Sequence, residues 1–151
     1  MAAKRKRSGG QVLLRMAFVA YVIWMLWLLF GQRLGTEIYS QELAKSMNLR
    51  PFATIKHFLR LLEMDSPGLV IHAMINLAGN VVMFIPLGFF LPRIFPKLRG
   101  FFKTFFSCTL LIVAVELLQY YTFLGTCDID DLILNMAGVC IGYAFAVIKP
   151  Y

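Results

Sequence analysis

Acidic and amide side chains that could bind a ligand or move a proton lie in two apolar segments of the C-terminal half of the chain. Glu116 and Gln119 are three residues apart, so they share one face of a helix. Asp128, Asp131 and Asn135 are spaced three and four apart and predict a second polar helix face. Because hydrocarbon strongly disfavours ionisable groups, these residues are candidates for a functional site.

The sequence leaves three interpretations of these residues open. In the first, Asp128 caps a helix, Asp131 lies in its first turn, and Asn135 bonds to a neighbouring helix. In the second, Glu116 and the aspartates hold a hard divalent cation through oxygen ligands. In the third, Glu116, Asp128 or Asp131 is a catalytic acid or base whose pKa is raised by burial. No Cys/His metal-ligand spacing is present, so we assign no metal, and the sequence identifies no cofactor.

A further polar stripe precedes these two faces in the chain. His72, Asn76 and Asn80 are four residues apart, so they lie along one side of a helix that is otherwise apolar. Such amides can bond across to neighbouring helices, or they can line a ligand site together with the later polar faces. The predicted ligand-binding residues are Asn76, Asn80, Glu116, Gln119, Asp128, Asp131 and Asn135.

The composition indicates which kind of fold must position these groups. Of the 151 residues 60% are hydrophobic, and the mean hydropathy is +0.72, which is typical of an integral membrane protein and excludes an ordinary soluble domain. The net charge of +7 comes from short basic runs beside apolar segments, which indicates membrane orientation rather than nucleic-acid binding. Three cysteines, an odd number, argue against a disulfide framework.

Hydropathy predicts an all-α membrane protein with four transmembrane helices and a short amphipathic helix in the first outer connection. The predicted elements are a basic N-terminal segment over 1–11, spans over 12–31, 69–91, 101–124 and 131–148, and the amphipathic helix over 51–63. No cleavage site follows the first span, so we interpret it as a membrane helix and not a signal peptide. The amphipathic helix is too short to span, and it lies either in the headgroup layer or across the mouth of the bundle.

Positive charge is distributed unevenly between the two sides of this arrangement. The N-terminal segment, the second connection and the C-terminus hold ten Lys and Arg with no acid, whereas the first connection holds five beside four acids. The positive-inside rule therefore predicts that both termini are cytoplasmic and that the aspartates face outward. The polar side chains then collect in the outer half of the bundle, which predicts a polar pocket that is open to the outside.

Four separated motifs resemble those of the VanZ-like family of small bacterial membrane proteins. They are Asn48-Leu49-Arg50-Pro51-Phe52, the run Asn80 to Gly88 with Phe84 and Pro86, Glu116-Leu117-Leu118-Gln119, and Asp128-Ile129-Asp130-Asp131 with Asn135, Gly138 and Gly142. The order of the four makes the resemblance specific. It covers residues 47 to about 146, and we place the family domain at 32–151.

The resemblance implies a protein of the bacterial cytoplasmic membrane that is associated with low-level resistance to glycopeptide antibiotics, especially teicoplanin. By motif position it also implies functional roles for Asn80, Glu116, Gln119, Asp128, Asp131 and Asn135. Asp130 lies where the family varies and ranks lower.

We therefore expect an outward polar pocket that binds an envelope component or an antibiotic. The alternative is an enzyme that acts on a lipid-linked envelope precursor. The bilayer is the other expected partner, and the oligomeric state is not determined by the sequence.

Overall fold

A computed structural model describes residues 9–31 and 47–148. Its helices are α1 (Gly9–Leu29), α2 (Ala53–Leu61), α3 (Pro67–Ile94), α4 (Phe101–Tyr121) and α5 (Ile129–Ile148), with a short 3₁₀ helix at Pro96–Leu98. Within this described part, α1, α3, α4 and α5 are long and apolar enough to cross a membrane, so the predicted four-span, all-α membrane architecture is confirmed. Most of the predicted basic N-terminal segment, much of the first connection and the last residues, at 1–8, 32–46 and 149–151, lie outside the described residues.

Helix α3 is longer than the predicted span at both ends. Its 28 residues, Pro67–Ile94, correspond to a length of about 42 Å, which exceeds the roughly 30 Å hydrocarbon core. The helix continues through Pro86 and Pro92, although each proline removes one backbone hydrogen bond. Pro92 is fully buried, so tertiary packing holds the helix together at the point where the predicted span ends.

Helices α3 and α5 run in the same direction and touch backbone to backbone. A methyl group added at Gly138 would collide with the carbonyl oxygen of Val81, and one added at Gly142 would collide with that of Ile85. From the other side, Gly88 lies against the carbonyl of Val139. Gly138 and Gly142, four residues apart, therefore form a small-residue face on α5 that allows close contact with α3.

Helix α1 packs beside α3 and completes the core. The hydroxyl of Tyr21 donates a hydrogen bond of 2.9 Å to the carbonyl oxygen of Met83, within one turn of Pro86. The ring of Phe18 lies edge-on to that of Phe95, with 6.1 Å between their centres, so the first half of α1 packs beside the end of α3. The buried core contains Tyr21, Met25, Phe84, Leu87, Cys108, Ile112, Met136 and Val139.

The two ends of the bundle differ in charge. We call the end that carries Asp128, Asp130 and Asp131 the acidic end, and the end that carries Arg93, Lys97, Arg99 and Lys103 the basic end. At the acidic end a short parallel strand pair, β1 (Met47–Asn48) with β2 (Cys127–Asp128), joins the first connection to the start of α5. Hydropathy did not predict this strand pairing. The pairing holds the described end of the first connection against the start of α5.

Candidate functional site

Asp128 connects the start of α5 to the first connection. It directly precedes α5, and its Oδ1 accepts the backbone N–H of Asp130 at 2.8 Å, so the predicted helix cap is confirmed. Its Oδ2 accepts the hydroxyl of Thr54 at 2.6 Å and the side-chain amide of Asn48 at 3.2 Å. Both oxygens of this buried carboxylate therefore hold the protein's own backbone and side chains in place.

Asp130 is completely buried and holds the N-terminus of α2. Its Oδ1 accepts the backbone N–H of Phe52 at 2.6 Å, and its Oδ2 accepts those of Thr54 and Ile55 at 2.7 and 3.0 Å. The first amides of a helix have no acceptor within the helix, and a negative charge there is favourable to the helix dipole. Asp130 therefore caps α2 from a distance of more than 70 residues in the chain.

Sequence reasoning missed this role of Asp130, although one signal for it is present. The helix after Pro51 begins with Phe52 at its N-cap, a residue without a side-chain acceptor and with a left-handed φ of 64°. A helix that starts in this way needs an acceptor from elsewhere. Asp130, in the acidic run before α5, supplies this acceptor.

We call Asp128, Asp130 and the groups that they bind in residues 48–55 the aspartate network. The network fixes α2 against α3 and α5, where the ring of Phe58 lies 5.7 Å from that of His72. These contacts with α3 and α5 agree with the predicted placement of the amphipathic helix across the mouth of the bundle. Apolar side chains such as Leu59 remain exposed on the outer side of α2.

The polar stripe of α3 divides into two parts. The side-chain amide of Asn80 donates a hydrogen bond of 2.7 Å to Asp131 Oδ1, so the structure brings these two site residues together across α3 and α5. Asn76 instead donates to the carbonyl oxygen of His72 on its own helix at 2.9 Å, and His72 is exposed. Asn80 therefore bonds to a residue of another helix, whereas the observed bonds of Asn76 stay within α3.

Glu116 and Gln119, the predicted site residues of α4, are both buried. Gln119 donates from its Nε2 to the carbonyl oxygen of Leu29 at 3.0 Å. Leu29 is the last residue of α1, where helix carbonyls lack partners within the helix, so Gln119 ties the two helices together. Glu116 lies one turn earlier, on the same face of α4.

The thiol of Cys127 shows that carboxylates converge at the acidic end. Its pKa is raised above the ordinary value, first by burial and then by the negative charges of Glu116, Asp128 and Asp131. Negative charges on α4 and at the start of α5 therefore act on the same thiol of β2. These negative charges would repel a thiolate at this position, so the thiol stays protonated at neutral pH.

Asn135 lies one turn after Asp131 on α5 and is only 3% exposed. Among residues 9–31 and 47–148, nothing donates a hydrogen bond to its Oδ1. Buried polar atoms are nearly always paired, so this oxygen is a position where a ligand or water would be stabilised. We call Asn80, Glu116, Asp131 and Asn135 the polar cluster.

The divalent-cation interpretation gains no support from this geometry. In the part of the chain that the structure describes, no group of three or more His, Cys, Asp or Glu side chains is arranged to hold a metal ion. Asp128 and Asp130 bind N–H and hydroxyl donors through their carboxylates.

The positions of these motifs can be compared with known proteins. The VanZ/LLP1 family model matches residues 17–149 of the chain. The chain belongs to the VanZ/LLP1 family. A relative from Enterococcus faecium, called Protein VanZ, is 27% identical over 134 residues, which cover 88% of this chain and 73% of that protein. No solved structure gives a significant match to the chain. The VanZ/LLP1 match begins within α1, so it covers the second half of the first span and the whole of the other three spans, together with the aspartate network and the polar cluster.

Proposed function

We propose that this VanZ/LLP1 protein binds the polar head of an envelope component, or of a lipid-tailed glycopeptide antibiotic, at its acidic end. The observation that supports this function is the hydrogen bond between Asn80 of α3 and Asp131 of α5, together with the action of the Glu116 and Asp131 charges on the same thiol, Cys127. A ligand with a lipid tail can keep the tail in the bilayer while its head reaches the mouth of the bundle. Glycopeptide resistance, which the family resemblance implies, is consistent with such binding.

The chemistry of the polar cluster favours a head group that is rich in hydrogen-bond donors. Glu116 and Asp131 offer carboxylate oxygens, and Asn135 offers a buried carbonyl oxygen without a donor in the described residues. Hydroxyl, amide and ammonium groups donate to such acceptors, and bonds to a carboxylate are among the stronger ones. Sugars and peptides, the usual constituents of envelope precursors and glycopeptides, carry all of these donors.

The proposed site requires that the acidic end faces outward in the bacterial cytoplasmic membrane. The first residue of α1 and the last residue of α5 both lie at the basic end, since α1 packs there through Phe18 and α5 through Ala146. Positively charged ends are retained on the cytoplasmic side during insertion. Both termini then lie inside the cell, and the aspartate network lies outside.

The alternative of an enzyme acting on a lipid-linked precursor depends on the same carboxylates. Asp128 was one of its candidate catalytic residues, yet both of its oxygens hold residues of the first connection and α5. Glu116 and Asp131 remain as acid or base candidates beside Cys127. Binding is the better-supported function, because Asp131 already accepts a hydrogen bond from Asn80 and the buried Asn135 Oδ1 is an acceptor and not an acid or base.

Teicoplanin susceptibility of cells that express the protein tests the proposed function. The variants are Glu116→Gln, Asp131→Asn and Asn135→Ala, each at wild-type membrane levels. The first two keep the shape of the side chain and remove its charge, and the amide oxygen introduced by Asp131→Asn could still accept from Asn80. We expect resistance to fall toward that of cells that lack the protein. A glycopeptide without a lipid tail should show a smaller effect.

The matched control is Asp65→Asn, which removes one exposed acid from the loop before α3 and leaves the polar cluster intact. This variant should retain wild-type resistance. Unchanged resistance in all three cluster variants would show that these side chains only make contacts between helices. Consumption of a lipid-linked precursor by the purified protein, abolished by Glu116→Gln or Asp131→Asn, would instead support the enzyme.

A further inference from the structure

A groove of about 490 Å³ lies between α3 and α5 near the basic end, away from the polar cluster. It is lined by Ile85, Phe89, Arg93, Phe145 and Ile148. Its volume is within the range of small-molecule and lipid-sized sites. Phe145 and Ile148 are 56% and 71% exposed, so the groove opens on the outside of the bundle, where a membrane protein meets lipid.

Arg93 is held in a defined position at one edge of this groove. Its Nη2 donates a hydrogen bond of 3.0 Å to the carbonyl oxygen of Ala146, in the last turn of α5. Its guanidinium carbon lies 4.1 Å from the centre of the Phe89 ring, a cation–π arrangement. A guanidinium carries five N–H donors in a planar fork, so it can keep a protein bond and still bind a phosphate group.

The surroundings of Arg93 are strongly basic. From residue 66 to residue 115 the sequence contains no Asp or Glu, whereas Lys97, Arg99 and Lys103 follow Arg93 at the same end of the bundle. Arg93 itself is in the last turn of α3. Basic side chains at the end of a span lie at the depth of lipid headgroups, where they attract anionic lipids.

We propose that this groove binds an anionic phospholipid, with one acyl chain along the apolar walls and the phosphate at Arg93. The apolar lining alone would accept any lipid chain, so the fixed guanidinium is what selects for negative charge. The site is separate from the proposed function of the acidic end. It requires only that the groove faces the bilayer, whichever leaflet the basic end occupies.

The test measures lipid retention by the purified full chain in detergent, with native mass spectrometry during titration of phosphatidylglycerol or phosphatidylcholine. We expect phosphatidylglycerol to bind more tightly, and Arg93→Gln to weaken that binding by about five- to tenfold. Lys97→Gln removes the same charge from an exposed position outside the groove and should change the affinity less than about twofold. Equal losses in both variants would overturn the site in favour of a diffuse basic surface.

A second pair of variants tests the acyl-chain part of the groove. Phe145→Ala should weaken retention of phosphatidylglycerol, whereas Phe106→Ala, which removes a similarly exposed ring on α4, should not. This pair also serves if Arg93→Gln fails to fold, since exposed rings contribute little to the core. Displacement of the lipid by excess inorganic phosphate would contradict acyl-chain binding. Equal affinity for the two lipids would contradict anion recognition.

Discussion

Two aspartates that lie two residues apart have different structural roles at the acidic end. Asp128 caps α5 and binds the side chains of Asn48 and Thr54, whereas Asp130 binds backbone amides of the first turn of α2. A buried carboxylate that accepts several hydrogen bonds stabilises the fold more than an exposed carboxylate does. If it is removed, water cannot reach the buried donors to take its place. Both aspartates are buried, so the loss of either carboxylate leaves donors without an acceptor.

We predict that Asp130→Ala lowers the free energy of unfolding by about 3 kcal/mol or more, because it leaves the amides of Phe52, Thr54 and Ile55 without their acceptor. Chemical unfolding in detergent, followed by circular dichroism, measures the change. Protease cleavage within residues 49–66 should also increase as α2 detaches. Asp65→Asn, an exposed acid in the adjoining loop, should change stability by less than about 0.5 kcal/mol. A wild-type unfolding curve for Asp130→Ala would contradict the role of the network.

Periodicity predicted the residues whose role depends on their own helix or on one facing helix. The cap at Asp128 followed from its position before an apolar run, and the faces of Asn80 and Asp131 followed from three- and four-residue spacing. The bond from Gln119 to Leu29 crosses 90 positions, and no local pattern identifies the carbonyl that it meets. The role of Asp130 was missed for the same reason.

At the scale of elements, the number and type of the helices were predictable because each span is a long apolar run. The residues at which the helices end were less predictable. The predicted span over 69–91 ends before Pro92, yet α3 continues to Ile94, because the packing of a buried proline outweighs the loss of one hydrogen bond. The strand pair β1–β2 has two residues on each side, too few for alternation in the sequence to indicate it.

The contact between α3 and α5 gives the prediction at this scale. Gly138→Ala should destabilise the bundle by about 1–3 kcal/mol, since the added methyl group meets the backbone carbonyl of Val81, which cannot move aside as a side chain can. Gly79→Ala is the matched control on α3, because nothing lies within 4 Å of the added atom. It should be neutral or stabilising by up to about 1 kcal/mol.

Unfolding midpoints in detergent compare the two glycine variants with the wild type. Equal stability of Gly138→Ala and Gly79→Ala would show that the helices separate easily at this point. A loss of stability in Gly79→Ala alone would show that the close contact lies on the face of α3 that carries Gly79.

The whole molecule separates its charges along the membrane normal. The acidic end holds the aspartate network and the polar cluster, and the basic end holds Arg93 and the residues that follow it. Hydropathy and charge predicted this polarity, because both follow from composition along the chain. The position of the first connection against α5 was not predictable, since it depends on bonds between segments far apart in sequence.

Cysteine labelling in intact cells tests the proposed orientation. In a background with the three native cysteines replaced by alanine, Asp65→Cys should react with a membrane-impermeant maleimide from outside. Arg99→Cys should react only after the cells are permeabilised. Both positions are exposed, so they form a matched pair at the acidic and basic ends. Labelling in the opposite pattern would contradict the outward placement of the polar cluster.

The aspartate network also has a consequence for the order of folding during synthesis. Asn48 and Asp128 are 80 residues apart, and a chain made at about 5–20 residues per second supplies the acceptor about 4–16 s after the donor. Throughout that interval the first-turn amides of α2 have neither Asp128 nor Asp130 to bind. The network can therefore close only once α5 begins to be made, and a chain arrested after α4 lacks both carboxylates that bind residues 48–55. Capping of the N-terminus of α2 is thus a late event that follows the synthesis of the earlier spans.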